Sequence, residues 1–404
     1  MNLLIEGVSS GFVIKTELSR KLTLDGITQA YPVYKVRLDL LYYNDQNDRI
    51  ATWISEYKSA HDGKSVDMTD RESYNAIIEG LIVKSNPEAI KKTQTNIELV
   101  DQREPGVALA DGRVIDGNRR FACLRRLSKK NDKFNYFETI ILDKNIESNA
   151  KQIKMLELSI QHGEESKLDY NPVDRLVGIY NDIIDTKLLT VNEYARSANE
   201  PLQDVKKRIE IAELMIEFLD FINAPLQFHI ARDMQIYAPI EATIQLLKKC
   251  RTSDEAEDLK ITVFTNILMR TEGDMRQFVR SLRNIIGSDY QDSFIEEQRE
   301  IAEKVVQSLP PVGSISDIVI RDTIRANDEI VQELTNSVEK VLLKVRKTET
   351  RNRPVQLIEK ATDFLESIDK NIFQKLNDSD IKRIERQLRR LENAVDEIWK
   401  ELNE

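Results

Sequence analysis

Two adjacent guanidinium groups, Arg119 and Arg120, directly follow Gly117 and Asn118. Paired planar forks of this kind match the oxygens of a phosphate. Gly117 permits close backbone approach, and Asn118 adds an amide that both donates and accepts. A helix starting here would also present N–H groups that lack internal partners and bear partial positive charge, so the chemistry indicated is phosphate binding. Asp116, just before the glycine, is a candidate contact to the same ligand, and Arg49 stands in a polar loop at residues 44–50. Glu157 and Gln161 lie four apart, hence on one helical face. Lys206, Lys207 and Arg208 form a run of cations that could meet DNA phosphates. Each group also has a plainer reading as the solvated face of an amphipathic helix.

The surrounding pattern sets what must position these residues. Asp111-Gly112 marks a turn, Arg113–Ile115 reads as a short strand, and Asp116-Gly117 breaks it. From Asn118 onward Phe121, Leu124 and Leu127 recur at helical spacing, with Arg119, Arg120, Arg125 and Arg126 off that stripe. Arg125 and Arg126 are expected to be solvated or paired with acids. Residues 1–60 look β-rich, with short runs at 12–14 and 21–24 and an alternating stretch at 33–43 that reads as one half-buried strand. The polar loop at 44–50 follows, then helical patterns from about Thr69 to Lys92, and further strands at 107–115 and 139–142. Past Asn149 the pattern is helical.

Thr190, Glu193, Ala195, Asn199, Val205 and Ile209 have helix-turn-helix spacing, with a small residue at the helix crossing and an asparagine where a left-handed turn is needed. Residues 190–215 nevertheless hold four basic side chains against five acidic ones, which weighs against DNA contact and for a packing module. Leu309-Pro-Pro-Val-Gly313 reads as a linker, and the 91 residues after it contain no glycine and one proline, Pro354. Ile381, Ile384, Leu388, Leu391, Val395, Ile398 and Leu402 space as heptads, which predicts either a homodimer seam or a hairpin packing back on residues 330–345 or 357–372.

Bulk composition narrows the class. A chain of 404 residues is long enough for two or three domains. Its net charge of −10 argues against indiscriminate nucleic-acid binding without excluding a local basic patch. Two distant cysteines, Cys123 and Cys250, and three histidines outside any Cys/His cluster point to a reducing compartment and away from zinc. The N-terminus meets an acid too early for a signal peptide, and no apolar run reaches membrane-spanning length, so a cytoplasmic protein without a membrane partner is expected.

The order of three pieces resembles the ParB partition proteins and their wider ParB/sulfiredoxin-fold superfamily. The family's Gly-Glu-Arg-Arg motif is matched by Gly117-Asn118-Arg119-Arg120, its Glu-Asn-Ile-Gln-Arg motif loosely by Leu158-Ser159-Ile160-Gln161-His162, and its Leu-Asn-Pro helix start by Leu168, Asn171 and Pro172. The resemblance spans about residues 33–215. Beyond that span the residues themselves predict a helical domain at 226–310 and a helical region at 311–404 whose heptads would serve dimerisation; the resemblance implies an α+β nucleotide-binding domain at 1–150 and a helix-turn-helix domain at 151–225. It also implies a DNA-associated clamp, of partition, phage or defence type, that binds a nucleoside triphosphate (CTP or ATP) with Mg2+. Gly117, Asn118, Arg119 and Arg120 become the phosphate contacts. The family's magnesium-holding Glu-Asn pair is replaced by Leu158 and Ser159, with Glu157 and Gln161 the candidates to stand in for its shell; an insertion follows around residues 163–166, and only Arg49 matches the family's upstream Gln-Pro-Arg loop, which makes it a candidate ligand contact or else a loop-anchoring salt bridge. The family's redox cysteine position is Asn118, which sets sulfiredoxin chemistry aside. Two other readings stand: a nuclease or nucleotide hydrolase on the same fold, built on Asp111, Asp116 and Glu157, and an interaction scaffold that has lost its ligand.

Overall fold

The computed structural model describes residues 2–24, 26–163 and 171–403. The side chain of His162, most of the insertion after it, and Leu168 lie outside the described residues. By Cα proximity the chain forms two compact units, Met1–Val341 and Leu342–Glu404.

The N-terminal part of the first unit is a six-stranded mixed sheet, β1 (Val13–Leu24), β2 (Ile27–Arg37), β3 (Tyr42–Tyr43), β4 (Gly106–Leu109), β5 (Arg113–Asp116) and β6 (Tyr136–Leu142), in the order β1-β2-β6-β4-β5-β3. The runs expected at 12–14 and 21–24 are one continuous strand, interrupted by a register shift between Lys15 and Ser19. β1 and β2 close as a hairpin with Leu24 opposite Ile27, and Gly26 takes the left-handed conformation (φ 80°) that a residue lacking Cβ adopts without strain.

The alternating stretch at 33–43 is not one strand. It leaves β6 at Arg37, turns through a single 3-10 turn at Leu38–Leu40, and resumes at the opposite edge of the sheet as β3, parallel to β5. Val36, Leu38 and Tyr42 are buried on both sides of the break and Leu40 is half-buried, so the apolar spacing in the sequence does not register the change of neighbour.

Helix α1 (Ala51–Ala60) was not legible in the sequence. Its fully buried positions are Thr52 and Ser55, and its apolar residues Trp53, Ile54 and Tyr57 are only partly buried against the core, so no long apolar stripe marks it. α2 (Arg71–Ser85) and α3 (Pro87–Val100) fill the expected helical segment, with Asn86 capping α3 ahead of Pro87. α4 (Asn118–Ser128) follows β5 through one glycine, and α5 (Ile146–Gly163) follows β6.

Alternate residues of the central strands face opposite ways. Ala108, Val114 and Ile141 point toward α2, α3 and α4, where Tyr74, Ile78, Phe121 and Leu124 complete one core. Val107, Leu109, Ile115, Ile140 and Leu142 point the other way, onto Ile153, Leu156 and Ile160 of α5. The arginine helix is thus held by its apolar face against one side of the sheet while its first turn stands at the end of β5.

The rest of the chain is helical: α6 (Pro172–Ile179), α7 (Val191–Ser197), α8 (Leu202–Phe221), α9 (Phe228–Asp233), α10 (Tyr237–Leu247), α11 (Ser253–Met269), α12 (Met275–Ser281), α13 (Gln291–Gln307), α14 (Asp317–Val319), α15 (Asp328–Glu366) and α16 (Asp378–Asn403). The Pro-Pro-Gly loop before α14 is tied to the end of α8, where Gly313 N donates to Asn223 O (2.8 Å) and Asn223 Nδ2 donates to Pro310 O (2.9 Å). No described helix is long and apolar enough to cross a membrane.

Candidate functional site

α4 starts as its sequence dictates. Gly117 is the N-cap with φ 92°, and a Cβ there would stand 2.9 Å from Phe137 Cζ, so both backbone and space require glycine. Phe121, Leu124 and Leu127 are buried, which leaves Arg119 and Arg120 at the rim.

A cavity of about 260 Å³ opens at this helix start. Asp116, Gly117, Asn118, Arg119 and Arg120 form one wall, Asn47, Arg49 and Ile50 from the loop before α1 a second, and Gln161 of α5 closes part of the floor. Every position expected to contact phosphate therefore lines the same space, together with Arg49 and Gln161 from distant segments. Sequence reasoning missed the remaining walls: Asn86, Thr93 and Asn96 on or beside α3, and the loop from Asp101 to Glu104. Their one detectable signal is the density of amide and hydroxyl side chains on α3, which by itself is common on solvated helices.

Charge in the cavity is only partly balanced internally. Four arginines (Arg49, Arg103, Arg119, Arg120) line it against three carboxylates (Asp101, Glu104, Asp116). Asp101 pairs outward with Lys133 (2.6 Å). Asp116 lies between Arg120 (3.1 Å) and Arg20 (3.2 Å), and Arg20 also reaches the carbonyl of Pro105. Arg20 stands 96 residues before Asp116 and had no sequence signal.

Asn118 is the unusual member. It is 7% exposed, and neither its amide oxygen nor its amide nitrogen has a hydrogen-bond partner among the described residues. A buried polar group left unsatisfied costs roughly 1–3 kcal/mol, so buried amides are ordinarily paired. Here the residue stands in the first turn of α4 and is among those that line the cavity.

Behind the floor lies a second polar group of a different kind. Lys154 of α5 is buried, with Nζ 2.7 Å from Asp48 Oδ1, 3.5 Å from Asp182 Oδ2 and 3.8 Å from Glu157 Oε2. Gln161 Nε2 donates to Glu157 Oε1 (3.0 Å). Burial pushes the Glu157 carboxyl up to about 8, with the neighbouring Asp48 and Asp182 charges adding to the rise and Lys154 opposing it. Asp182 is likewise raised, to about 7, first by burial and then by Asp48. Burial would lower the Lys154 ammonium, but the three carboxylates together hold it well above its ordinary value. α6 approaches this group so closely that a Cβ on Gly178 would stand 2.7 Å from Asp48 Cγ.

Magnesium fits this arrangement poorly. Glu157 faces an ammonium, Gln161 faces Glu157, the three carboxylates that do meet (Asp48, Glu157 and Asp182) enclose Lys154, and among the described residues no group of three Asp, Glu, His or Cys side chains is arranged to hold a metal ion. The carboxylates of the hydrolase reading are dispersed in role as well. Asp111 accepts from the Tyr42 hydroxyl (2.5 Å) and the Arg113 amide (3.0 Å), Asp116 is held by arginines, and Glu157 is in the lysine cluster.

Arg125 turns inward, as the paired alternative required. Its Nε lies 2.9 Å from Glu79 Oε2 and its Nη2 2.9 Å from Glu72 Oε1, which fastens α4 to α2. Arg126 is exposed.

The helix-turn-helix spacing yields the expected local geometry. Thr190 and Glu193 form a reciprocal capping box at α7, Asn199 takes φ 50°, and Ala195 and Val205 are buried at the crossing with α8. Its cations are largely committed: Lys207 pairs with Glu241 (2.6 Å), and Arg208 pairs with buried Glu200, while Lys206 is exposed. No protein-family model matches this chain, and no curated protein matches it.

Proposed function

We propose that the chain binds a phosphate-bearing ligand, a nucleoside triphosphate such as CTP or ATP, in the cavity at the N-terminus of α4. The observation that carries this reading is Asn118: a buried amide with both atoms unsatisfied, placed at a helix start between arginines. Phosphate oxygens accept from its Nδ2, from Arg119 and Arg120, and from the backbone N–H groups of the first turn. A nucleotide hydroxyl or amine can donate to its Oδ1. The ParB-like motif order agrees with this assignment, and binding, not turnover, is the activity proposed. For α7 and α8 we favour packing over DNA contact, because two of the three candidate cations already hold carboxylates.

The test is calorimetry with CTP, ATP, GTP and inorganic triphosphate, each with and without EDTA. Arg119→Ala with Arg120→Ala should weaken binding by about 100-fold, on the scale of two lost charge-assisted contacts, and leave the melting temperature nearly unchanged. Affinity that survives in this double variant removes the cavity as the phosphate site.

A further inference from the structure

One guanidinium outside the cavity at α4 holds two of its walls. Arg20 is not among the residues that line it, yet Arg20 Nη1 donates both to Asp116 Oδ2 (3.2 Å) and to the carbonyl oxygen of Pro105. Asp116 ends β5 and leads into α4, whereas Pro105 ends the loop whose residues from Asp101 to Glu104 form the opposite wall. The two walls leave the sheet side by side, since Val107 of β4 pairs with Asp116 and a Cβ on Gly106 would stand 2.7 Å from Asp116 O.

The N-terminal hairpin delivers Arg20 to this point. β2 pairs with β6 from Val33 to Arg37, and among the described residues the part beyond, where Arg20 stands opposite Tyr31, pairs within the hairpin. Leu22, two residues on and so on the same face of β1, is buried in the core that includes Ile153 and Ile160 of α5. Arg20 therefore enters from the covered face, and its side chain, like that of Asp116, is 10% exposed. Water screens a carboxylate so placed only weakly. Asp116 Oδ2 is shared between Arg20 and Arg120 (3.1 Å); without Arg20 its whole charge would fall on Arg120, the group an incoming phosphate needs. We propose that Arg20 is a positioning residue of this cavity: it offsets Asp116 so that Arg120 stays available to phosphate, and it fixes the opposite wall through the Pro105 carbonyl. The first half rests on the reading of the cavity as a phosphate site, and the second is open to a test without ligand.

The test is a double-mutant cycle in full-length protein, Arg20→Met against Asp116→Asn, measured by calorimetry with inorganic triphosphate and with CTP and ATP. Arg20→Met alone should weaken inorganic triphosphate about tenfold, and adding Asp116→Asn should return it to within about threefold of Asp116→Asn alone. Whichever nucleotide wild type binds should stay about fivefold short in the double variant, because the wall beyond the phosphates is no longer held. In ligand-free protein, backbone hydrogen exchange over residues 101–106 should be faster in both Arg20 variants than in wild type. Arg20→Lys keeps the charge beside Asp116 and serves if Arg20→Met melts early; it should hold inorganic triphosphate within about threefold of wild type. A triphosphate loss that Asp116→Asn does not rescue or that Arg20→Lys shares, full recovery of the nucleotide, or unchanged exchange at 101–106 would each overturn the proposal. Wild-type protein that binds neither triphosphate nor nucleotide overturns the phosphate reading itself, and the proposal falls with it.

Discussion

The cavity at α4 and the Lys154 cluster are neighbours built from similar materials, and they differ in closure. Both bring charged side chains together from segments about 100 residues apart. Around Lys154 the ammonium is met by Asp48, Glu157 and Asp182, Gln161 takes a free oxygen of Glu157, and Asp182 Oδ2, which has no hydrogen bond among the described residues, is still held in an ion pair at 3.5 Å. At α4 the buried amide of Asn118 has no hydrogen-bond partner among the described residues, while arginines line the cavity. Burial of polar groups therefore does not mark a ligand site by itself. What marks it is the part of the hydrogen-bonding capacity that the fold leaves unused. The closed cluster instead reads as structural: it pins α5 to the loop before α1 and to the segment leading into α7.

If that contrast is right, the closed cluster should control stability and the open one affinity. The largest effect is expected from Lys154→Met, which strands three buried carboxylates. Removing one partner of a buried ion group costs roughly 3–5 kcal/mol, so chemical denaturation should show a loss of that order. A variant as stable as wild type would make the cluster an incidental grouping.

A smaller effect separates the two sites by pH. The folded chain holds the Glu157 proton to about 8 and that of Asp182 to about 7, well above ordinary carboxyl values. The fold thus binds these protons more tightly than the unfolded chain does. Their contribution is complete below the ordinary carboxyl range and is lost as pH rises through 7 to 8. Stability should decline from pH 6 to pH 9, and Glu157→Gln, which keeps the shape without the titration, should flatten that limb by about 2 kcal/mol. Thermal melts across this range check it; an unchanged slope in the variant assigns the limb to other groups.

The smallest effect belongs to the open site. Asp116 competes with any incoming anion for Arg120, and Arg20 shares it. Asp116→Asn keeps an acceptor but removes the competing charge, so inorganic triphosphate should bind about three- to tenfold more tightly, measured by calorimetry. Weaker binding would show that Asp116 serves by orienting Arg120 and not by restraining it.

Much of this was open to a reader of the chain alone, and for local reasons. Gly117 before Phe121, Leu124 and Leu127 dictates a glycine-started helix with arginines off the apolar face. Thr190, Glu193 and Asn199 dictate a capped helix ending in a left-handed turn. The heptad residues dictate a helix with one apolar stripe. Each is a matter of backbone preference or periodicity within a few turns, which composition and spacing encode directly. α1 escaped because its fully buried positions are Thr52 and Ser55 while its apolar residues are only partly covered, and the break at Arg37 escaped because apolar residues stay at every second position through it.

Tertiary structure alone decided which polar groups meet. Nothing in the spacing of Asp48, Lys154, Glu157 and Asp182 announces that one ammonium will hold three carboxylates, or that Arg20 will clamp Asp116 from the far hairpin. Nor could it be read that Arg125 would be spent on Glu72 and Glu79 while Asn118 would be left with nothing. Hydrogen bonding and charge pairing are directional and short in range, so they depend on where the sheet and helices deliver each side chain in space. The sequence determined the helices and their faces; the packing of those faces determined which charges were satisfied and which stayed available.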